Sequence, residues 1–295
     1  MSAIATPPFA LDAPPARRKR RAGEGRPAWK TIVIVTAAYL IAFVFVFPYL
    51  DMIVTALRPQ SELQSTSILP HHYTFAAFSS LWKTGLGQNL KVTLLVAGGA
   101  TVLVLLVALP AAYYTARHRF RGRLAFLLLV LVTQMFQPTA MLVGIYREFF
   151  SFHLLNTVWS LILVNAGFNL AFAVWILNAY ISSIPRELEE AAMVEGTGRL
   201  GALFRVTLPL ALPGVVTALI FTFIAAWNEF IVALTLTQTP SRMPLTVAIN
   251  GFIGAYSIEW QHLFAASVVA TIPVIILFAL IERRVINGLT AGSIK

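Results

Sequence analysis

Seven side chains able to exchange hydrogen bonds or stack on a ring interrupt otherwise apolar stretches of this 295-residue chain. They are Gln134 and Gln137 beside Pro138, Asn165 and Asn169 around Gly167, and the run Trp227-Asn228-Glu229. Polar groups in lipid are costly, so such residues face a protein interior or a cavity. Two chemistries suit them. They can hydrogen-bond between helices and between subunits. Alternatively, the amides and the carboxylate receive the hydroxyls of a polar solute while Trp227 or nearby aromatics stack on its apolar face. Glu229 lies about 20 residues into its apolar run, and a rise of about 1.5 Å per residue carries it toward the outer end. A gate or a partner-pairing role therefore suits it equally. Prolines 110, 138, 213 and 273 free backbone groups that need other partners. Nothing points to covalent catalysis. The chain has no Gly-x-x-x-x-Gly-Lys and no His-Glu-x-x-His, and its five histidines (His71, His72, His118, His153 and His262) are scattered. It has no cysteine, which excludes disulfides, thiolate metal sites and cysteine nucleophiles.

The elements that hold these side chains are membrane spans. Hydrophobic residues make up 58% of the chain and charged ones 12%, against a quarter charged in ordinary soluble domains. Six runs reach the roughly 20 apolar residues a bilayer crossing requires: residues 31–50, 92–116, 124–146, 156–180, 208–237 and 260–281. A seventh uncharged stretch, 243–258, is short and broken by Pro244, Asn250, Gly251 and Gly254. It reads as an outer loop, with a re-entrant excursion left open. The fold class expected is an all-α integral membrane protein of six transmembrane helices, with no period of 20 to 50 residues that would mark a solenoid.

Basic residues set the orientation. Seven precede the first span (Arg17, Arg18, Lys19, Arg20, Arg21, Arg26 and Lys30). Four follow the second (Arg117, Arg119, Arg121 and Arg123), three follow the fourth (Arg186, Arg199 and Arg205), and Arg283, Arg284 and Lys295 end the chain. The opposite face carries Arg58, Lys83, Lys91, Arg147 and Arg242. Seventeen against five places both termini in the cytoplasm. That distribution also explains the net charge of +10 without a nucleic-acid partner. The first 30 residues read as a disordered basic cytoplasmic tail rather than a signal peptide, because no apolar segment precedes the basic cluster. The tail fixes topology, and contact with anionic lipid headgroups is the alternative reading.

The loop after the fourth span carries a short helix. In Ile-Pro-Arg-Glu-Leu-Glu-Glu-Ala-Ala-Met-Val-Glu-Gly, residues 184–196, Pro185 suits the first helical position. Glu187, Glu189 and Glu190 suit the positive end of the dipole, and Gly196 suits a left-handed stop. The spacing predicts a helix of about 11 residues, roughly 16 Å long, with Leu188, Ala191, Ala192 and Glu195 on one face. So short a helix is marginal alone and needs a docking surface, either the bilayer, its own membrane domain or another protein.

Glu190-Ala191-Ala192, then Gly196, Val206 and Leu208-Pro209 at their set spacing, resemble the EAA motif of the inner-membrane permease subunits of bacterial ATP-binding cassette (ABC) importers. Val206 stands where isoleucine is usual, and Glu195 where many members have aspartate. Ala226-Trp227-Asn228-Glu229-Phe230, Tyr113-Tyr114-Thr115-Ala116-Arg117 with Phe120-Arg121-Gly122-Arg123, and the final Asn287 to Lys295 run resemble the carbohydrate-uptake branch of these permeases.

The resemblance implies a type I importer permease fold. It places the first helix and an outer loop at 31–84, a permease domain at 85–282 with a coupling helix at 185–196, and a cytoplasmic tail at 283–295. It implies a multi-pass protein of the bacterial inner membrane that forms the pathway for a sugar, polyol or glycerol phosphodiester and performs no catalysis. Two ATPase subunits, carrying ATP and Mg²⁺, would take the coupling helix through Glu190, Ala191, Ala192, Glu195, Gly196, Leu208 and Pro209. A second permease subunit would complete a heterodimer. An extracytoplasmic solute-binding protein would meet the loop 238–259, with Asn250, Gly251, Gly254 and Tyr256 suited to its bends. No metal or cofactor is implied on this chain. A stand-alone secondary transporter or channel would instead want an internal repeat or paired broken helices with charges at mid-membrane depth. A membrane-embedded scaffold or enzyme subunit would want clustered catalytic side chains at one interface.

Overall fold

In the computed structural model, residues 28–63, 67 and 69–291 are described, with Ala28 and 282–291 as backbone only. The basic tail up to residue 27 and the side chains of Arg283, Arg284 and Lys295 lie outside the described residues. The chain falls into two units, 1–49 and 50–295. Helix α1 (Ala28–Ala56) bridges that boundary in sequence. Its part in the first unit exposes a largely apolar surface, including Ile32, Tyr39, Phe43 and Phe47.

In the second unit, short α2 (Ala76–Leu81) precedes α3 (Leu86–Arg117), which continues unbroken through Pro110. Then come α4 (Arg123–Thr133), α5 (Pro138–Ser151) and α6 (Val158–Ser183). The connection onward holds α7 (Glu187–Val194), α8 (Arg199–Ala202), a π-turn over Leu203–Thr207 and α9 (Leu208–Leu210). Next are α10 (Leu212–Trp227), α11 (Ile231–Leu236), α12 (Leu245–Asn250) and α13 (Trp260–Ala291). Among the described residues, four helices are long and apolar enough to cross a membrane, or six crossings result if each of two bent pairs counts as one.

The bent pairs correct the expected spans. The run 124–146 is not one helix: α4 and α5 meet at 92°. Pro138 opens α5, and Gln137 is extended at φ −74°, ψ 134°, because a following proline ring crowds the helical conformation. The run 208–237 is likewise divided. The α8–α9 segment meets α10 at 74°, with Pro213 in the first turn of α10. A second break at 228–230 separates α10 from α11.

The core is built around α3. Val104, Ala108 and Ala112 belong to one buried cluster with Ala173, Val174 and Leu177 of α6 and Ala218 of α10. Small residues let these backbones approach closely, the usual means of helix association in lipid. Gly214 shows how closely: a β-carbon there would lie 2.5 Å from the ring of Tyr180. A second cluster joins Ala97 and Ala100 of α3, Trp227, and Ala265 and Ala266 of α13.

Candidate functional site

Two candidate sites lie at the ends of α3, and a third lies at the α4–α5 break. At the C-terminal end of α3 lies α7. This helix spans eight residues rather than eleven, because Pro185 precedes its cap and Arg186 O is the first acceptor, bonded by Glu189 N and Glu190 N at 3.0 Å each. Its end matches expectation. Gly196 has φ +92°, Gly196 N donates to Met193 O and Thr197 N to Ala192 O. This is the paired closure of a left-handed helix stop.

One edge of α7 is held by ionic contact. Glu189 is buried. Arg117 Nε donates to its Oε1 at 2.7 Å, and Arg117 Nη2 stands 2.6 Å from the same oxygen. The Thr207 hydroxyl, in the π-turn, donates to Oε1 as well, and Tyr113 Oη donates to Oε2 at 3.1 Å. Arg117 Nη1 also donates to Ile184 O at 2.9 Å. Tyr113 and Arg117 are one turn apart on α3, so they share a face. The other edge is open: Leu188, Glu190, Ala191, Glu195 and Gly196 are exposed, and Ala192 is half-buried. Val194 is 89% exposed. Glu190 and its neighbours are thus presented outward by a carboxylate that sequence reasoning passed over. The signal available was the Tyr113–Arg117 spacing beside an adjacent pair of glutamates. Leu208 and Pro209 open α9 directly after Thr207.

The site at the α4–α5 break is a cavity of about 350 Å³. Gln134, Gln137, Asn165, Asn169 and Glu229 line it, with Phe136 and Phe168. Asn165 Nδ2 donates to Leu161 O and Asn169 Nδ2 to Asn165 O, while Gln134 Nε2 reaches across to Phe168 O at 3.0 Å. Glu229 accepts from Val232 N at 2.7 Å and Ala233 N at 2.9 Å. It therefore caps α11, whose first N–H groups have no intrahelical acceptor. Two of the candidate residues lie elsewhere. Trp227 does not reach the cavity: it is 3% exposed and stacks on Phe223, centroids 5.5 Å apart. Asn228 is exposed and is not among the lining residues. The half-turn between 227 and 229 rotates them onto other faces.

At the opposite end of α3, the segment 238–259 is fastened at its base and free at its tip. Asn89 Nδ2 donates to Pro240 O and Met243 O at 2.8 Å each, and Leu245 N donates to Thr93 Oγ1. Asn156, left-handed at φ 57°, accepts from Gln238 N and Thr239 N and donates to Thr239 Oγ1, and Arg242 Nη1 donates to Asn156 O. Beyond α12 the chain turns back through an isolated bridge between Ile253 and Ile258, with Asn250, Gly251, Gly254 and Tyr256 exposed. Gly254 N donates to Ser257 O across that turn. His262 lies between Ser80 Oγ (2.7 Å) and Glu259 (2.8 Å) at its foot.

Residues 104–289 match the family described as binding-protein-dependent transport system inner membrane component. A putative ABC transporter permease of Streptomyces antibioticus is 36% identical over 77% of this chain and 100% of its own length. The sulfoquinovosyl glycerol transport system permease of Agrobacterium fabrum is 36% identical over 84% of this chain and 88% of its own. Among solved structures, a chain of a bacterial ABC transporter that imports the acidic polysaccharide alginate superposes with a TM-score of 0.74. It covers 88% of this chain and 98% of that one at 22% identity, which speaks for the fold.

Proposed function

From the chain's membership of the binding-protein-dependent inner-membrane transport family, which makes it the non-catalytic permease subunit of an ABC importer, we propose how its parts divide the work. The open edge of α7, with Glu190, Ala191, Ala192, Glu195 and Gly196, seats in a cleft of a separate ATPase subunit. Leu208 and Pro209 support it from behind. ATP and Mg²⁺ belong to two such ATPase partners. The observation that carries this reading is the division of α7 itself. One edge is locked to the membrane domain by a buried carboxylate, and the other exposes Glu190, Ala191, Glu195 and Gly196.

The α7 end then faces the cytoplasm, as do both termini, in line with the basic-residue count. The cavity lined by Gln134, Gln137, Asn165, Asn169 and Glu229 forms part of the pathway. Its amides and carboxylate suit a hydroxyl-rich solute, of the sugar-like class that the Agrobacterium relative's name carries. A second, different permease subunit completes the pathway. The open apolar groove of about 920 Å³ beside the cavity, with Ala140, Gly144 and Gly167 in its walls, supports that pairing.

Purification of the chain from its native membrane is the direct test. The expected result is a complex with an ATPase and a second hydrophobic chain. Solute movement by this chain alone in liposomes would favour a stand-alone carrier instead.

The exposed tip of 250–259 is the surface proposed to meet the solute-binding protein. Deleting residues 250–254 is expected to leave membrane insertion intact, because the fastenings at Asn89, Asn156 and His262 lie outside the deletion. Uptake should fall at least tenfold. Unchanged uptake by the shortened protein would remove this assignment.

A further inference from the structure

Helix α3 makes polar contacts with exposed surface elements at both of its ends, and these are the two elements that partner proteins would touch. At one end Tyr113 and Arg117 hold α7 through Glu189. At the other, Asn89 holds Pro240 and Met243, Thr93 receives Leu245 N, and Gln88 Nε2 donates to Ser241 O. The 28 residues from Asn89 to Arg117 span about 42 Å at 1.5 Å each, more than the hydrocarbon core of about 30 Å. The helix is continuous over that length.

The character of the two fastenings matters. Helix α7 has little apolar surface buried: Leu188 is 46%, Met193 38% and Val194 89% exposed. It is attached by a buried ion pair, both side chains 7% exposed, and an ion pair of fixed geometry is directional where apolar packing slides. Thr207 is fully buried and bonds the same carboxylate, so the start of the α9–α10 crossing is bound into the same joint. The distal joint also uses buried groups: Asn89 is 7% and Thr93 1% exposed.

We infer that α3 is a strut joining the ATPase-facing helix to the solute-binding-protein-facing loop, with Arg117–Glu189 and Asn89 as its two end fastenings. These are positioning residues: they touch neither solute nor nucleotide. The strut rests on the docking reading given above. Its consequence is that displacement of α7 reaches 240–259 as axial movement of one helix. Loss of either fastening breaks the same link.

This chain has no cysteine, so each reporter is the single thiol on it, and the partner subunits are used in cysteine-free form. Single reporter cysteines at Val194 and at Tyr256, both highly exposed, carry a spin label in the full importer complex in nanodiscs. Spectra are read before and after ATP–Mg²⁺ with vanadate, and normalised to the ATPase present. In the parent complex both reporters are expected to respond. Glu189→Gln and Asn89→Leu are each expected to cut the Tyr256 response at least fivefold, and the double variant should fall no lower than the weaker single. Thr207→Val should act in the same direction, and with Asn89→Leu it decides the matter if Glu189→Gln does not assemble. A merely structural role would lower yield but leave the response per complex intact. An undiminished Tyr256 response in these variants, or losses that multiply in the double, overturns the strut alone. A silent Val194 reporter in the parent overturns the docking reading and the strut with it.

Discussion

Gly196→Val is expected to uncouple ATP hydrolysis from transport, with uptake falling by a factor of about 5–30 or more while the complex still assembles. The backbone there is left-handed at φ +92°. An L-residue in that conformation costs about 1–2 kcal/mol, and a β-branched residue more. Each 1.4 kcal/mol is tenfold in population, which sets the estimate. Space is not the obstacle, since nothing lies within 4 Å of where a β-carbon would stand. The penalty is conformational, so the effect should follow backbone tolerance rather than side-chain volume. Asparagine is larger than alanine yet visits this region readily. Gly196→Asn should therefore retain more uptake than Gly196→Ala. The reverse order, measured in a reconstituted complex, would mean that the site is limited by room for the ATPase surface and not by the turn.

Arg117→Ala is expected to release α7 from the membrane domain. Removing one partner of a buried ion pair costs about 3–5 kcal/mol, because the remaining charge is stranded. Here Glu189 would keep only the Tyr113 and Thr207 hydroxyls. Amide hydrogen exchange over residues 189–197 should accelerate by two to three orders of magnitude while exchange in α6 is unchanged. Replacing both partners with apolar side chains, Arg117→Met with Glu189→Leu, should recover most of that protection, since such swaps are often neutral. Recovery of protection without recovery of the Tyr256 response would separate attachment from transmission. Normal exchange in Arg117→Ala would show that the pair carries no load.

Much of this was legible in the residues, for identifiable reasons. The spans are written in uninterrupted apolar runs, and the Gly196 turn in a glycine following an acid-headed helix. The cavity was legible in part. Gln134, Gln137, Asn165, Asn169 and Glu229 stand out because polar groups in lipid need a reason to be there, and they do line one space. The breaks were harder. The bend within 124–146 falls at Gln134, Gln137 and Pro138, and those within 208–237 fall at Pro213 and at Asn228-Glu229, but isolated polar residues and prolines inside a long apolar run do not by themselves announce a bend. Trp227 misled because its neighbours are polar, whereas a half-turn carries it into the core against Phe223. Glu189 and Glu190 are adjacent and alike in sequence. Which one faces inward is decided by Arg117, 72 residues away, and helical periodicity in a segment this short does not contain that information.

Asn156 bears on the order in which the protein is made. Its amide and carbonyl bind residues 238, 239 and 242, more than 80 positions further along the chain. At about 5–20 residues per second of synthesis, its partners emerge several seconds after it does. Until then its left-handed backbone has nothing to hold it, so the rim that it closes is the last part of this face to set. Translation arrested after α6 and before α10 should yield a nascent chain with four inserted crossings and Asn156 still without its partners at 238–242.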